Sequence, residues 1–506
     1  MQGTTGSGKT LVYFERIKTI IKNNKQALVL LPEIFLTNDF KKRFEDFFGF
    51  EPAIWHSKIT PKKKREIWKG INKNSIKILV GARSALLLPF KKLGIIIVDE
   101  EHDTSYKQDE RVIYNARDMA ISRASFEKIP VHLVTSVPSI ETYNNIQNKK
   151  YRQIKIYKRF DDYPLPNTKI INLNLNKTKN KFIAEETVEI VKSYLDKGDQ
   201  VLFFINRRGY APYLICKKCG SKQVCQNCSL YLTFHKLINK VICHHCSTEK
   251  EITTKCKIKG DCEFIKYGPG VEKIFEEVKE IFPKKKVSIF SSDYLKTKEK
   301  TKFFFKDIIE NKIDILVGTQ MISKGFNFPK LNCIVVIDAD FSGRGYDLRS
   351  TEKNIQLYHQ LSGRAGRFSS DSLVIYQTLT PHDATLNDLI KNKSEKLLAN
   401  ELLLRKKNEL PPFIRLIAVI ISSKDRSLSI QGAREIKLKL NQISNLEVLG
   451  PVDSPLLKIK KNFRSRLLIR FNNRLMMQKK ITNLLNGLRI SSKIKLTVDV
   501  DPVNFV

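Results

Sequence analysis

What the chain lacks narrows it first. No apolar run in its 506 residues approaches the ~20 needed to cross a bilayer, so no membrane partner is expected. Acidic side chains are scarce: 52 Asp+Glu stand against 90 Lys+Arg, a formal net charge of +38. That imbalance favours a polyanionic partner, nucleic acid before membrane. A blander reading stays open, since the Lys, Asn and Ile richness along the chain could make every surface basic without a functional reason. Cysteine is nearly absent outside one stretch, because eight of the nine fall between Cys216 and Cys262. In a reducing compartment such clustering speaks for metal and against disulfides. The last absence is at the start, where only Met1 and Gln2 precede a glycine-rich loop. A leader peptide has no room there, so a cytoplasmic location is expected. Nor is there room for the buried strand that leads into such a loop, so that strand is expected to be missing and the chain to be an N-terminally shortened form.

What is present begins with that loop. Gly3-Thr4-Thr5-Gly6-Ser7-Gly8-Lys9-Thr10 matches G-x-x-x-x-G-K-[ST], in which backbone N–H groups and a helix N-terminus face the phosphates of ATP. Lys9 would reach the β and γ phosphates and Thr10 would offer its hydroxyl to Mg²⁺. A flexible glycine loop would look the same, so the rest of the chain decides. Leu11 to Ile21 reads as a helix, and Ala27 to Leu31, Ile78 to Val80 and Leu93 to Val98 as short buried strands. Such alternation means a parallel sheet covered on both faces. The third strand ends in Asp99-Glu100-Glu101-His102, the place where an NTPase holds magnesium through Asp99 and activates water with Glu100 as general base. Strand ends are often acidic; the pairing with the loop sets this one apart.

The second half has its own signals. After a buried strand at Gln200 to Ile205 come Cys216-x2-Cys219, Cys225-x2-Cys228 and Cys243-x2-Cys246, then Cys256 and Cys262. Four thiolates complete a tetrahedral Zn²⁺ site, so eight permit two zincs per chain. No acid–base constellation surrounds an open metal position, which favours a structural or docking role. Further on, Gln360-Leu-Ser-Gly363-Arg364-Ala-Gly366-Arg367 is expected to place both arginines one helical turn apart on one face, the glycines permitting close approach of another unit. Such guanidiniums neutralise charge developing on a γ-phosphate, an effect worth about 10³ to 10⁵ in rate when supplied as a finger. Gln360 would sense the γ-phosphate. The end of the chain is basic at Lys458, Lys460, Lys461, Arg464, Arg466 and Arg470, which is either a DNA-contacting face or a solvated one.

Taken together these stretches resemble the superfamily 2 DNA helicases, and within them the primosomal protein N′ (PriA) replication-restart helicases. The most specific stretch is Asp99 to Gln108 with Tyr114-Asn-Ala-Arg-Asp118 behind it, where the family usually has His in place of Asn115. Leu31-Pro-Glu-Ile, Trp55-His-Ser and Gly81-Ala-Arg-Ser84 resemble its DNA-contacting and structural motifs. The resemblance implies an α/β fold of two RecA-like lobes, parallel sheets flanked by helices, with a cysteine-rich zinc-binding insertion in lobe 2 and a small α/β C-terminal domain. It places lobe 1 at 1–150, a linker at 151–180, lobe 2 at 181–400, the zinc insertion at 214–266 and the C-terminal domain at 401–506. Tyr106 and Tyr114 become members of an aromatic-rich loop able to stack on bases, with ordinary loop packing as the alternative.

The family pattern pairs Cys225, Cys228, Cys243 and Cys246 on an inner zinc and the outer cysteines on another. Lys259 stands where the eighth cysteine belongs, leaving Cys262 as its candidate replacement; His235, His244 and His245 are other substitutes, though exposed histidines are the expected reading. The implied activity is ATP-dependent 3′ to 5′ DNA unwinding at stalled forks. The implied partners are single-stranded and forked DNA, single-stranded DNA-binding protein, and primosome and replicative-helicase loading proteins. A nucleic-acid translocase or RNA-directed ATPase, or a zinc-bearing DNA-binding or assembly protein with an impaired motor, are the other classes. Poor ATPase activity is expected if the first strand is missing.

Overall fold

The computed structural model describes residues 1–503 apart from 33–37, 110–111, 160–162, 176–181, 206–212, 217–222, 227–231, 236–238, 244–247, 252–263, 268–269, 292–297, 321–327, 341–347, 392 and 473–474. Five parallel strands form the first sheet in the order Ala53–Trp55, Ile78–Gly81, Gln26–Leu30, Leu93–Asp99 and Val131–Val134. Every residue of Gln26–Leu30 is buried, as a central strand covered on both faces requires. Its period of two sends Ala27 and Val29 toward Tyr13, Phe14 and Ile17 of the helix Lys9–Lys22, and Leu28 and Leu30 toward Ile67, Ile71 and Ala120 on the other face.

Ahead of the glycine loop, where a strand is expected to be missing, stands a strand of two residues. Gln2–Gly3 pairs in parallel with Lys155–Ile156, and its other edge exchanges bonds with Thr135, from Thr135 N–H to the Met1 carbonyl and from Gly3 N–H to the Thr135 carbonyl, each 3.1 Å. Both edges of this two-residue strand are thus paired. Within 151–180, the expected linker, lie two short strands. Lys155–Ile156 forms a two-stranded sheet with Gln2–Gly3, and Asn167–Asn172 forms the outer strand of the second sheet.

That second sheet is parallel throughout, ordered Asn167–Asn172, Leu373–Thr378, Leu331–Val336, Gln200–Phe204, Ile315–Gly318 and Val287–Phe290. The two lobes repeat one construction. Each central strand opens on a buried glutamine: Gln26 Nε2 donates to the carbonyls of Ile71 and Ile76, and Gln200 Nε2 to those of Ile308 and Ile313. In both, one carboxamide ties the strand to the end of the helix that leads into its neighbour. Small antiparallel pairs, Tyr213–Cys216 with Phe264–Tyr267 and Thr233–His235 with Lys240–Ile242 and Glu249–Glu251, lie between the Gln200–Phe204 strand and the helix Val271–Ile281.

The C-terminal unit is a four-stranded antiparallel sheet ordered Glu447–Ile459, Asn462–Asn472, Ile414–Ser423 and Ile494–Val500. The helices Arg426–Leu440 and Leu475–Asn486 cover its apolar face through Ile436, Leu440, Ile481 and Leu485. Among the described residues no helix is long and apolar enough to cross a membrane.

Candidate active site between the lobes

The glycine loop turns through Gly6 and Gly8, at φ 87° and 77°, the left-handed region that glycine adopts without strain. Its helix begins at Lys9 with no side-chain cap, leaving the first amide groups to a ligand. Lys9 Nζ donates to the loop's own carbonyls, Gly3 at 2.7 Å and Thr4 at 2.9 Å. The hydroxyls of Thr4 and Ser7 are buried without a hydrogen-bond partner. Orphaned polar atoms and uncapped amides around a buried ammonium fit a polyphosphate. Burial holds the Lys9 amine below its ordinary range, with Glu100 and Asp99 offsetting part of the effect.

Asp99 accepts from the Tyr13 hydroxyl at 3.1 Å and from the Glu100 N–H at 2.9 Å. Thr10 meets the same tyrosine hydroxyl, so the two candidate magnesium ligands share a neighbour. Burial first, and Glu100 second, push the Asp99 carboxyl up to about 6, the behaviour of an oxygen pair that a cation would relieve. Glu100 adopts φ 48°, an uncommon conformation for a side-chain-bearing residue, and its Oε2 is buried without a hydrogen-bond partner. Backbone strain of this kind collects at functional positions.

His102 joins the two lobes. Its Nδ1 lies 2.7 Å from Thr135 Oγ1, which in turn donates to the Val137 carbonyl at 2.8 Å, and its Nε2 lies 2.8 Å from Gln360 Nε2. With the Thr135 proton committed to Val137, the consistent tautomer carries the proton on Nδ1 and leaves Nε2 to accept from the Gln360 amide. Beside this bridge, Gly363 sits so close to the loop that an added Cβ would lie 2.4 Å from Thr5 Cβ. The arginines follow at once. Arg364 is buried, and burial pulls its guanidinium down to about 10 against the opposing charge of Glu100. Arg364 and Arg367 both act on Lys9, and Arg367 Nε donates to the Gly363 carbonyl at 3.3 Å.

Several expectations change in detail. The two arginines do not share a helical face, because the helix Ser350–Ser362 stops at Gly363 and Gly366 turns left-handed at φ 60°; they project from a turn. Tyr106 is not available to stack on bases. It is fully buried, with its hydroxyl donating to the carbonyls of Leu30 and Asp99 at 2.9 and 2.6 Å, so it braces the acidic strand end. Tyr114 is half-buried. His235 is buried, not exposed, 3.2 Å from Glu272 of the helix Val271–Ile281. Of the zinc candidates, Cys216, Cys225 and Cys243 are described and buried; Cys219, Cys228, Cys246, Cys256 and Cys262 lie outside the described residues, as do His244 and His245. Cys225 and Cys243 share one small core with Leu214, Leu232 and Phe234, and Phe264 packs against both this core and Cys216. Thiols from two C-x2-C pairs brought into one core fit a common zinc.

Sequence reading missed the polar network behind His102. Glu101, 1% exposed, accepts from the Ser139 N–H at 2.8 Å and from Arg117 Nη1 at 3.3 Å. Next to it the Glu352 carboxylate of the second lobe accepts the Ile140 N–H of the first at 3.0 Å.

A phosphate-cradling loop and acidic strand end on one sheet, met by an arginine turn from a second sheet of the same design, define a two-lobed nucleotide-driven helicase. The family models agree: residues 1–144 match the DEAD/DEAH box helicase and 241–369 the helicase conserved C-terminal domain. Residues 225–250 match the PriA DNA helicase Cys-rich region and 406–503 the primosomal protein N C-terminal domain. The chain is 40% identical over its full length to the replication restart protein PriA of Rickettsia conorii, covering 78% of that protein. It is 35% identical to that of Haemophilus influenzae over 99% of this chain and 69% of the relative. The chain therefore belongs to the PriA family of replication restart helicases. Such helicase domains imply ATP with Mg²⁺, and the cysteine-rich region implies zinc. Among solved structures, RecG bound to a three-way DNA junction overlays 81% of the chain at 16% identity and a TM-score of 0.43, too loose a likeness to bear on mechanism.

Proposed function

We propose that this chain hydrolyses ATP to move 3′ to 5′ along single-stranded DNA, opening stalled forks for primosome assembly. The observation that supports this reading is the approach of the arginine turn to the loop, Gly363 against Thr5, with Lys9, Asp99 and Glu100 facing Arg364 and Arg367 across it. With Gly3 held in its strand by the Thr135 carbonyl, the loop of Thr4, Thr5, Gly6, Ser7 and Gly8 wraps the phosphates through its amides, and Lys9 exchanges its two loop carbonyls for phosphate oxygens. Magnesium, when held by Thr10 and Asp99, adds positive charge beside the phosphates. Glu100 polarises the attacking water through its buried Oε2, which makes no hydrogen bond and lies 3.7 Å from His102 Nδ1. Arg364 and Arg367 offset charge on the γ-phosphate, and Gln360 reports its presence to His102. DNA is held mainly through phosphates, so sequence is not read. Two zincs shape the insertion, an inner one on Cys225, Cys228, Cys243 and Cys246 and an outer one on Cys216, Cys219, Cys256 and Cys262. Single-stranded DNA-binding protein and replicative-helicase loading proteins are the partners.

The test is ATP turnover with and without single-stranded DNA, together with unwinding of forks bearing a 3′ or a 5′ single-stranded arm. DNA-stimulated turnover, with opening only of forks that offer a 3′ arm, is the expected result. The Arg367→Ala variant should bind ATP and not hydrolyse it. DNA binding without turnover in the unaltered chain would instead support a zinc-bearing assembly protein with an impaired motor.

A further inference from the structure

Arg159 lies in the segment that crosses between the lobes and is 7% exposed. Among the described residues no carboxylate pairs with it. Its guanidinium forks onto carbonyls instead: Nη1 donates to Gly366 at 2.6 Å, Ala365 at 3.3 Å and Pro164 at 3.2 Å, and Nη2 to Ala365 at 3.2 Å. Nε is buried without a partner. The methylene stem runs over the glycine loop, Cγ and Cδ standing 3.8 and 4.0 Å from where a Cβ on Gly6 would be. One side chain therefore touches the loop of lobe 1, the arginine turn of lobe 2 and the segment crossing between them. Burial lowers the pKa of this guanidinium, and among the described residues no acid offsets the effect. A buried cation held by backbone carbonyls is a poor choice for stability alone, since an apolar side chain of similar volume would pack there at less cost. A planar fork is suited to orient two successive carbonyls, which a lysine cannot do.

We propose that Arg159 is a positioning residue for the arginine turn: by gripping the Ala365 and Gly366 carbonyls it fixes the directions in which Arg364 and Arg367 leave the chain, and registers that turn on the loop at Gly6. The peptide groups it holds lie between the two arginines in sequence, so their orientation sets both side chains. The inference rests on the reading that this turn meets the γ-phosphate.

The experiment compares Arg159→Met, Arg159→Lys and Arg367→Ala in the full chain. It reads kcat and KM for ATP at saturating single-stranded DNA, affinity for ADP and for ADP with aluminium fluoride, and thermal unfolding. For Arg159→Met the expected result is a kcat lowered about tenfold or more, as for loss of one charge-assisted hydrogen bond, with KM and ADP affinity within about threefold. Its preference for the fluoride complex over ADP falls as it does in Arg367→Ala. Arg159→Lys, which keeps charge and stem, retains the melting temperature and recovers only part of kcat. A kcat near wild type in Arg159→Lys together with a kcat loss in Arg159→Met that follows its unfolded fraction overturns the proposal, as does an unchanged fluoride preference in either variant. If Arg367→Ala turns over normally, the nucleotide reading itself fails; if Arg367→Ala is inactive and both Arg159 variants are not, only the positioning role does.

Discussion

His102 and Gln360 belong to different lobes, yet their Nε2 atoms stand 2.8 Å apart. On the far side of the ring Thr135 fixes the tautomer, so the contact depends on one strand end, one hydroxyl and one amide being placed together. Removing the ring should leave the phosphate-binding loop intact and break the link between lobes. His102→Ala is expected to bind ATP within about twofold of wild type while kcat at saturating DNA falls about tenfold, measured as DNA-stimulated phosphate release.

Lys107 ties the first lobe to the C-terminal sheet. Its ammonium is 6% exposed and lies 2.7 Å from the Val500 carbonyl, 3.2 Å from that of Asp501 and 2.7 Å from the Asp499 carboxylate. Taking away one member of a buried pair strands the other, at a cost of about 3 kcal/mol. Lys107→Ala is expected to lower the denaturant midpoint accordingly, with early release of the C-terminal unit seen as faster hydrogen exchange in Ile494–Val500.

Acid sensitivity follows from Glu141. Burial opposes its ionisation, but Arg349 at 2.5 Å and Arg117 nearby hold its carboxyl well below the ordinary value of 4.5. A depressed pKa in the fold means that the unfolded chain takes up the proton first. The stabilisation is thus present above the unfolded value and lost as pH falls below it toward the folded one. The melting temperature should decline as pH drops below about 5, and Glu141→Gln should flatten that limb. A limb of unchanged slope would remove Glu141 from the account. The carboxylate is 24% exposed, so added salt should shrink the difference.

Zinc content tests the insertion. Metal analysis should return two zincs per chain, and Cys262→Ser should lose one while Cys225→Ser loses the other. One zinc in the unaltered chain would mean that Cys262 does not ligate.

The parts of the fold that were legible in the sequence are those written in adjacent residues. The glycine loop, the apolar runs ending in Asp99 and the C-x2-C pairs each carry their chemistry within a few positions, so periodicity and spacing were enough. Contacts between distant segments were not. Nothing near Tyr106 announces that its hydroxyl will reach Leu30, 76 residues away. Nothing near Arg159 points to carbonyls 206 and 207 residues further on. The weak alternation of Asn167–Asn172, a strand at the edge of its sheet, read as linker because only Ile171 is fully buried. The two-residue strand Gln2–Gly3 was hidden for another reason, being made by its neighbours on both edges and not by any propensity of its own.

At Gly363 the space that a methyl group would need is already filled by Thr5. Lobes that close on a nucleotide, as proposed above, would meet a mechanical stop here whose height is one hydrogen atom. Adding a single carbon there, as in Gly363→Ala, would act as a shim, propping the jaws ajar and separating the grip on fuel from its combustion.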